Sequence, residues 1–352
     1  MKKIFNIVAV MMLLMTSILA PVSINAQDKK KVMTTFYPVY YLANKIGGDK
    51  IEVSMLLDQG QGAHDYESTA KDIVKIQETD LFIYQDDEME FFVKDILGSL
   101  DQNKTKVLES TKDIELLAGS DHSVHEHEGE AAHEHEGEES HDHEGEAAHD
   151  HEGEESHDHE GEAAHNHEGE ESHDHEGHSH ELDPHTWLDP KVYALQAENV
   201  KNALIEMDPE NQAAYEENSK KLEEELIALD KEYEAALKDL DKRTLVVQHA
   251  AFGYLTHAYD LKQVAISGLN TTKEPSAKVM AEMQQFMKDN GNQVIFVDPS
   301  ISSNIAKTVA ESTGAKLLPL RTLEVVSQKE MESGQDYLSL MRENLKQLIQ
   351  NK

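Results

Sequence analysis

The segment DPHTWLDP, Asp183–Pro190, follows directly on a tract crowded with histidine, and its reading decides how the chain is organised. His185 stands five residues after His180, the last histidine of that tract, but its surroundings differ. Asp183-Pro184 precedes it and Thr186-Trp187-Leu188-Asp189-Pro190 follows. Either His185 is the tail of the repeat or it belongs to a built site.

On its amino-terminal side lies an eight-residue unit, His-x-His-Glu-Gly-Glu followed by Ala-Ala or Glu-Ser, repeated from His125 to Gly177. The tract has almost no large apolar residue and cannot bury enough surface to offset chain entropy, so it reads as a disordered loop, 121–180. Its paired histidines are His125, His127, His133, His135, His141, His143, His149, His151, His157, His159, His165, His167, His173 and His175, with His178 and His180 closing the tract. Neutral imidazole is a good ligand for zinc, copper and nickel, and interleaved carboxylates add oxygen donors. The expectation is weak, multiple metal binding; a solvated acidic spacer is the alternative.

Farther out, strands and helices alternate twice. Lys31–Thr35, Ile51–Leu56, Leu81–Gln85 and Lys106–Glu109 read as strands, with helical spacing at Tyr40–Ile46, Thr69–Gln77 and Glu88–Leu100. A second set comprises strands at Thr244–Gln248, Gln263–Ile266, Gln293–Val297 and Lys316–Leu320. Helices read near Ser276–Asp289, Ser303–Ser312 and Asp336–Ile349. Alternation of this kind predicts α/β lobes with mainly parallel sheets. Between them Asp208 and Pro209 offer a helix start, and Tyr215, Leu222, Leu226, Leu229, Tyr233, Leu237 and Leu240 keep helical spacing. This predicts one long helix lying along both lobes; a coiled-coil arm is the alternative. The expected division is 1–26 signal peptide, 27–207 amino-terminal lobe with the loop, 208–242 interlobe helix and 243–352 carboxy-terminal lobe.

Lys2 and Lys3 precede an apolar run from Ile4 to Ala20, and Ile24-Asn25-Ala26 presents a small residue for cleavage before Gln27. This reads as a secretory signal, with an uncleaved membrane anchor as the alternative. The sequence has no cysteine, which excludes disulfides, thiolate-bound zinc, thiol catalysis and a lipid-bearing amino-terminal cysteine. A periplasm is the expected location. The formal charge is −37, and residues 121–180 hold 23 acidic groups with no Lys or Arg. So acidic a chain repels phosphate backbones, and nucleic-acid binding is not expected.

Four histidines lie outside the tract: His64, His185, His249 and His257. His64 follows Gly60-Gln61-Gly62-Ala63 after the second strand, and His249 ends the strand 244–248. Asp298 follows the strand 293–297. Ligands of open α/β sheets gather at such strand ends. Taken singly, each histidine is a surface or capping residue and Asp298-Pro299 a turn; the constellation points to a site.

Ala63-His64-Asp65-Tyr66-Glu67, Asp183–Pro190 and His249-Ala250-Ala251-Phe252-Gly253-Tyr254 resemble the zinc-binding solute-binding proteins of ATP-binding-cassette importers. The resemblance runs from about Lys31 to Lys352, interrupted by the repeat, and a His-rich acidic loop is common in that family. It implies two Rossmann-like α/β lobes with parallel-rich sheets, a rigid connecting helix and one metal ion in the cleft between lobes. Carried over by position, the expected ligands are His64 and His185 from the first lobe, with His249 and Asp298 from the second. His257 matches no ligand position and is expected on a helix. Manganese relatives generally carry a carboxylate where this chain has His249, and three nitrogens with one oxygen suit a tetrahedral Zn2+. The chain departs from Gram-positive relatives, which are usually lipidated, and from Gram-negative ones, which often carry a disulfide.

The resemblance therefore implies a monomeric zinc carrier that delivers Zn2+ to an ABC-type zinc permease in the inner membrane, with no catalytic cofactor. The alternatives are a manganese- or iron-binding protein of the same fold and a periplasmic metal buffer. A metalloenzyme fits least. Asp298 would fill the open position that catalytic zinc keeps, and the chain has no His-Glu-x-x-His.

Overall fold

The computed structural model describes residues 29–57, 61–119, 182–269 and 276–351. The signal-peptide reading of 1–26 and the loop reading of 121–180 fall outside the described residues. Among those described, no helix is long and apolar enough to cross a membrane.

The first lobe runs β1 (Lys30–Thr34), α1 (Tyr37–Gly47), β2 (Ile51–Met55), α2 (Ala70–Gln77), β3 (Leu81–Tyr84), α3 (Val93–Ser99) and β4 (Lys106–Glu109). Its strands pair in parallel in the order β2-β1-β3-β4. All of β3 is buried, as a central parallel strand covered on both faces must be. The second lobe repeats the plan with β5 (Thr244–His249), α6 (Gly253–Ala258), β6 (Lys262–Ser267), α7 (Ala277–Asn290), β7 (Val294–Val297), α8 (Asn304–Thr313) and β8 (Lys316–Pro319). Its order, β6-β5-β7-β8, is again parallel throughout. Along β5 the period of two assigns each residue to a face. Leu245 and Val247 join the large core shared with the first lobe, while Val246 packs in a separate cluster with Met283, Met287 and Val309 of α7 and α8.

Between the lobes stand α4 (Pro190–Met207) and α5 (Gln212–Leu237), and the chain ends with α9 (Gln328–Glu332) and α10 (Tyr337–Leu348). Where one helix over 208–242 is expected, Asp208 and Pro209 open a short 3-10 turn, Pro209–Asn211, that leads into α5, which ends at Leu237. A residue before proline disfavours helical backbone, and Asp208 is non-helical (φ −141°, ψ 71°), ending α4. Its carboxylate accepts from Asn211 Nδ2 and Tyr215 Oη, which restarts the chain as α5. At about 1.5 Å per residue, α5 is roughly 39 Å long, enough to touch both halves. Asn218 donates to the Ile46 carbonyl at the end of α1. Tyr233 donates to the Met341 carbonyl of α10, and Arg342 grips Glu232 with two nitrogens.

The helix expected at 88–100 is also shorter, because Glu90 is used otherwise. Its buried carboxylate turns back to accept from the backbone N–H groups of Gln85 and Asp86, just past β3. Asp86 accepts from Met89 N through Oδ1, while its buried Oδ2 has no hydrogen-bond partner among the described residues.

Burial pushes Asp86 up from its ordinary 3.8 to about 7, and it pushes Glu90 well above the usual carboxylate range. An acid whose folded pKa is raised binds more protons folded than unfolded. Stability is then lost as pH rises from the unfolded value through the folded one. For Asp86 that loss is on the order of 4 kcal/mol at about 1.4 kcal/mol per tenfold change in proton affinity. Asp86→Asn keeps an acceptor for Met89 N and removes the titration. The variant should match the parent in urea midpoint near about pH 4 and exceed it increasingly up to about pH 8. Parallel midpoints across that range would show that Asp86 is solvated in the fold.

Candidate metal centre

His64, His185, His249 and Glu324 meet at one buried point between the two sheets. Each offers one donor atom, and the four atoms lie within 4.8 Å of one another. His64 comes from the single helical turn Ala63–Asp65 after β2, and His185 from the approach to the turn Thr186–Leu188. His249 ends β5, and Glu324 follows β8. Glu324 is the hub. Its carboxylate lies 3.9 Å from His64 Nε2, 3.6 Å from His185 Nε2 and 3.7 Å from His249 Nε2. A tetrahedral cation with donors about 2 Å away sets neighbouring donors roughly 3.3 Å apart, so small movements would complete such a shell.

Three donor atoms lack hydrogen bonds among the described residues, although all are buried: His185 Nε2, His249 Nε2 and Glu324 Oε1. The opposite ring nitrogens are committed. His185 Nδ1 lies 2.7 Å from Asp183 Oδ1, and His249 Nδ1 donates to the Gly268 carbonyl at 3.0 Å. A proton held at Nδ1 leaves the Nε2 lone pair for a cation. Burial would lower the His185 pKa, but Asp183 on one ring nitrogen and Glu324 on the other outweigh it and raise it to about 9. Burial and the neighbouring charge of His185 push His249 down. Burial would raise Glu324, yet the surrounding histidines hold it below the usual carboxylate range. The metal-free centre thus has an imidazolium–carboxylate pair, and an arriving cation takes the place of a proton.

Seven of the eight residues of DPHTWLDP have polar or capping work in this arrangement, and Leu188 is buried in the core. Asp183 Oδ1 accepts from both the backbone N–H and Nδ1 of His185. Gln85, at the end of β3, donates through Nε2 to the Pro184 carbonyl and Thr186 Oγ1, and Gln196 of α4 braces Gln85 in turn. Trp187 is fully buried and reaches the second lobe, where Nε1 donates to the Thr322 carbonyl. Tyr337 of α10 donates to the Trp187 carbonyl. Asp189 caps α4 by accepting from Lys191 N, and Pro190 takes the first helical position, where no N–H is needed.

Three of the four ligand positions expected from the sequence come together; Asp298 does not join them. Its Oδ1 accepts from Ser300 N and Oγ, and its Oδ2 from Thr322 N and Oγ1. The carboxylate within reach of the histidines is Glu324. Sequence reasoning favoured Asp298 because it follows its strand immediately, whereas Glu324 stands five residues past β8 in a segment with no motif. The usable signal was its strand: β8 runs parallel to β5 and β7, so its carboxyl end faces the same way as theirs. His257 is exposed on α6, away from the centre. The tract histidines lie outside the described residues, but the residues that flank the tract lie within them. Ala118 and Leu182 form an antiparallel bridge, and Asp183 N donates to the Leu117 carbonyl.

Comparison with known proteins agrees with this architecture. Residues 32–351 match the family model ZnuA, described as zinc-uptake complex component A, periplasmic. The zinc-binding protein AdcA of Streptococcus pyogenes is 36% identical over 323 residues, which cover 92% of this chain and 56% of that protein. The chain thus spans about half the length of the streptococcal relatives it matches. The high-affinity zinc uptake system protein ZnuA of Bacillus subtilis is 36% identical over 318 residues, covering 90% of this chain and 86% of that one. Among solved structures, the Zn(II)-bound ZnuA-like domain of Streptococcus pneumoniae AdcA superposes with a TM-score of 0.68 at 31% identity, over 92% of this chain and 98% of that domain.

Gly253 supplies a test of how His185 is held. A Cβ there would lie 2.1 Å from Asp183 Oδ2, so Gly253→Ala must displace the carboxylate that orients His185. Alanine otherwise suits a helical position better than glycine. The variant should fold, yet bind Co2+ about 10- to 100-fold more weakly by absorption titration, the usual cost of losing a partner behind a ligand. Unchanged Co2+ affinity would show that Asp183 relaxes without releasing His185.

Proposed function

We propose, since the chain belongs to the ZnuA family of periplasmic zinc-uptake components, that it captures Zn2+ between its lobes and delivers it to an ABC-type permease in the inner membrane. His64, His185, His249 and Glu324 hold the ion. The donor set carries this reading: three imidazole nitrogens and one carboxylate, buried together, with His185 Nε2, His249 Nε2 and Glu324 Oε1 left without hydrogen bonds among the described residues. Three nitrogens and one oxygen suit a borderline-soft tetrahedral ion, whereas manganese favours more oxygen donors. Four protein donors close the shell of a tetrahedral ion and leave no position for a reacting water, which favours a carrier over an enzyme. The family description and the amino-terminal pattern support a place outside the cytoplasm, and we assign the periplasm.

The histidine repeat is proposed as an auxiliary collector of lower affinity. Its paired imidazoles are reason enough for weak zinc binding, and the bridge Ala118–Leu182 roots it three residues from His185. Ions held there have a raised effective concentration at the cleft.

Replacing His249 by Ala should weaken zinc binding beyond the ~10- to 100-fold typical of an outer partner, because a bond to the ion is itself lost. Competition with a chelating dye measures this, and undiminished affinity would remove His249 from the site. Deleting residues 121–180 leaves Gly119, Ser120 and Glu181 to join the bridged pair, a three-residue link of ordinary hairpin length. The shortened protein should keep one tight zinc and lose several weaker ones by calorimetry, and should load more slowly when zinc is scarce. An unchanged stoichiometry would make the tract a spacer.

A further inference from the structure

We propose that Asp298 is a positioning residue for Glu324, acting on the ion through the segment Thr322-Leu323-Glu324 and not by touching it. The inference rests on Glu324 being a zinc ligand. Its substance is how that ligand is kept in place.

Thr322 is pinned at every polar atom. Its N–H and Oγ1 both donate to Asp298 Oδ2, and its carbonyl accepts from Trp187 Nε1 of the other lobe at 2.7 Å. Asp298 cannot drift, because its second oxygen accepts from Ser300 N at 2.7 Å and Ser300 Oγ at 2.6 Å. The next residue, Leu323, is buried with φ +61°, the left-handed region that a branched, bulky side chain rarely adopts. Such a conformation persists only where the surroundings over-determine it. Glu324 follows at once and is the carboxylate that faces all three histidines.

The geometry explains why a residue at a strand end, so well placed to be a ligand, has no oxygen left for one. Asp298 spends both oxygens fixing a backbone that would otherwise return to an extended form and carry Glu324 away. The Trp187 bond adds a condition from the other lobe: the clamp on Thr322 is complete only while the lobes are together.

The test is a double-mutant cycle on the full chain, using Zn2+ competition titration, stopped-flow zinc release and the visible spectrum of the Co2+ form. Asp298→Asn places an amide N–H against donors, which loosens the clamp. It should weaken zinc binding about 10- to 100-fold, hasten release and alter the Co2+ spectrum. In the Glu324→Ala background the same change should cost less than about 2-fold, because the group through which it acts is gone. Equal costs in both backgrounds would overturn the proposal and return Asp298 to independent action on the ion. If Glu324→Ala alone leaves zinc affinity intact, the ligand assignment itself fails, a result separable from the first. Should Asp298→Asn not fold, as judged by thermal unfolding without metal, Thr322→Val removes the hydroxyl donor alone and enters the same cycle with the same outcomes.

Discussion

Glu324 carries its charge in a buried place, with only 7% of the residue exposed. A carboxylate buried this way is tolerated only beside positive charge or fixed donors, and here its neighbours are three imidazoles from three separate elements. Nearly everything else in the molecule can be read as a means of meeting that condition. The sheets present the carboxyl ends of β2, β5 and β8 to one point, and α4 and α5 hold the two halves at a fixed distance. Asp183 and the Gly268 carbonyl turn the rings of His185 and His249 so that their free nitrogens converge. Without a metal the balance is kept by a proton; with one, by the ion.

The lobes are less independent than their repeated topology suggests. One continuous core passes from β1 and β3 through α4 and α5 to the inner face of β5, and only the outer face of the second sheet has a cluster of its own. Tyrosines thread this core with polar ends that find backbone carbonyls: Tyr193 with Pro38, Tyr233 with Met341, Tyr337 with Trp187. A buried hydroxyl with one matched acceptor fixes register more tightly than apolar contact does. Large hinge motion would break several of these bonds at once, so small displacements near the centre are the cheaper way to admit and release an ion.

The strands were legible because fully buried parallel strands are short apolar runs bounded by turns, and their ends differ from the expected ones by a residue or so. Helix extents were less so. Pro209 reads as a helix start, and it opens the short turn that leads into α5; α4, directly before Asp208, has no counterpart among the expected elements. Glu88–Leu100 has helical spacing, but Glu90 is diverted to two backbone donors past β3, a long-range demand that periodicity cannot register. The three histidines stood out because each sits in a distinctive local pattern. Glu324 did not, since its placement depends on Leu323 adopting a backbone that leucine avoids, and no rule of composition points to such a residue.

The bridge between Ala118 and Leu182 has a bearing on how this chain changes over generations. Two residues that already touch close the fold at that point, whatever the length of chain between them. An eight-residue unit copied or lost by slippage in a repetitive coding sequence leaves both ends where they were, as well as the hydrogen bond from Asp183 to Leu117. The number of repeats between Ala118 and Leu182 can therefore change in steps without altering the bridge that joins them. The cleft and the tract are neighbours along the chain but separable in inheritance.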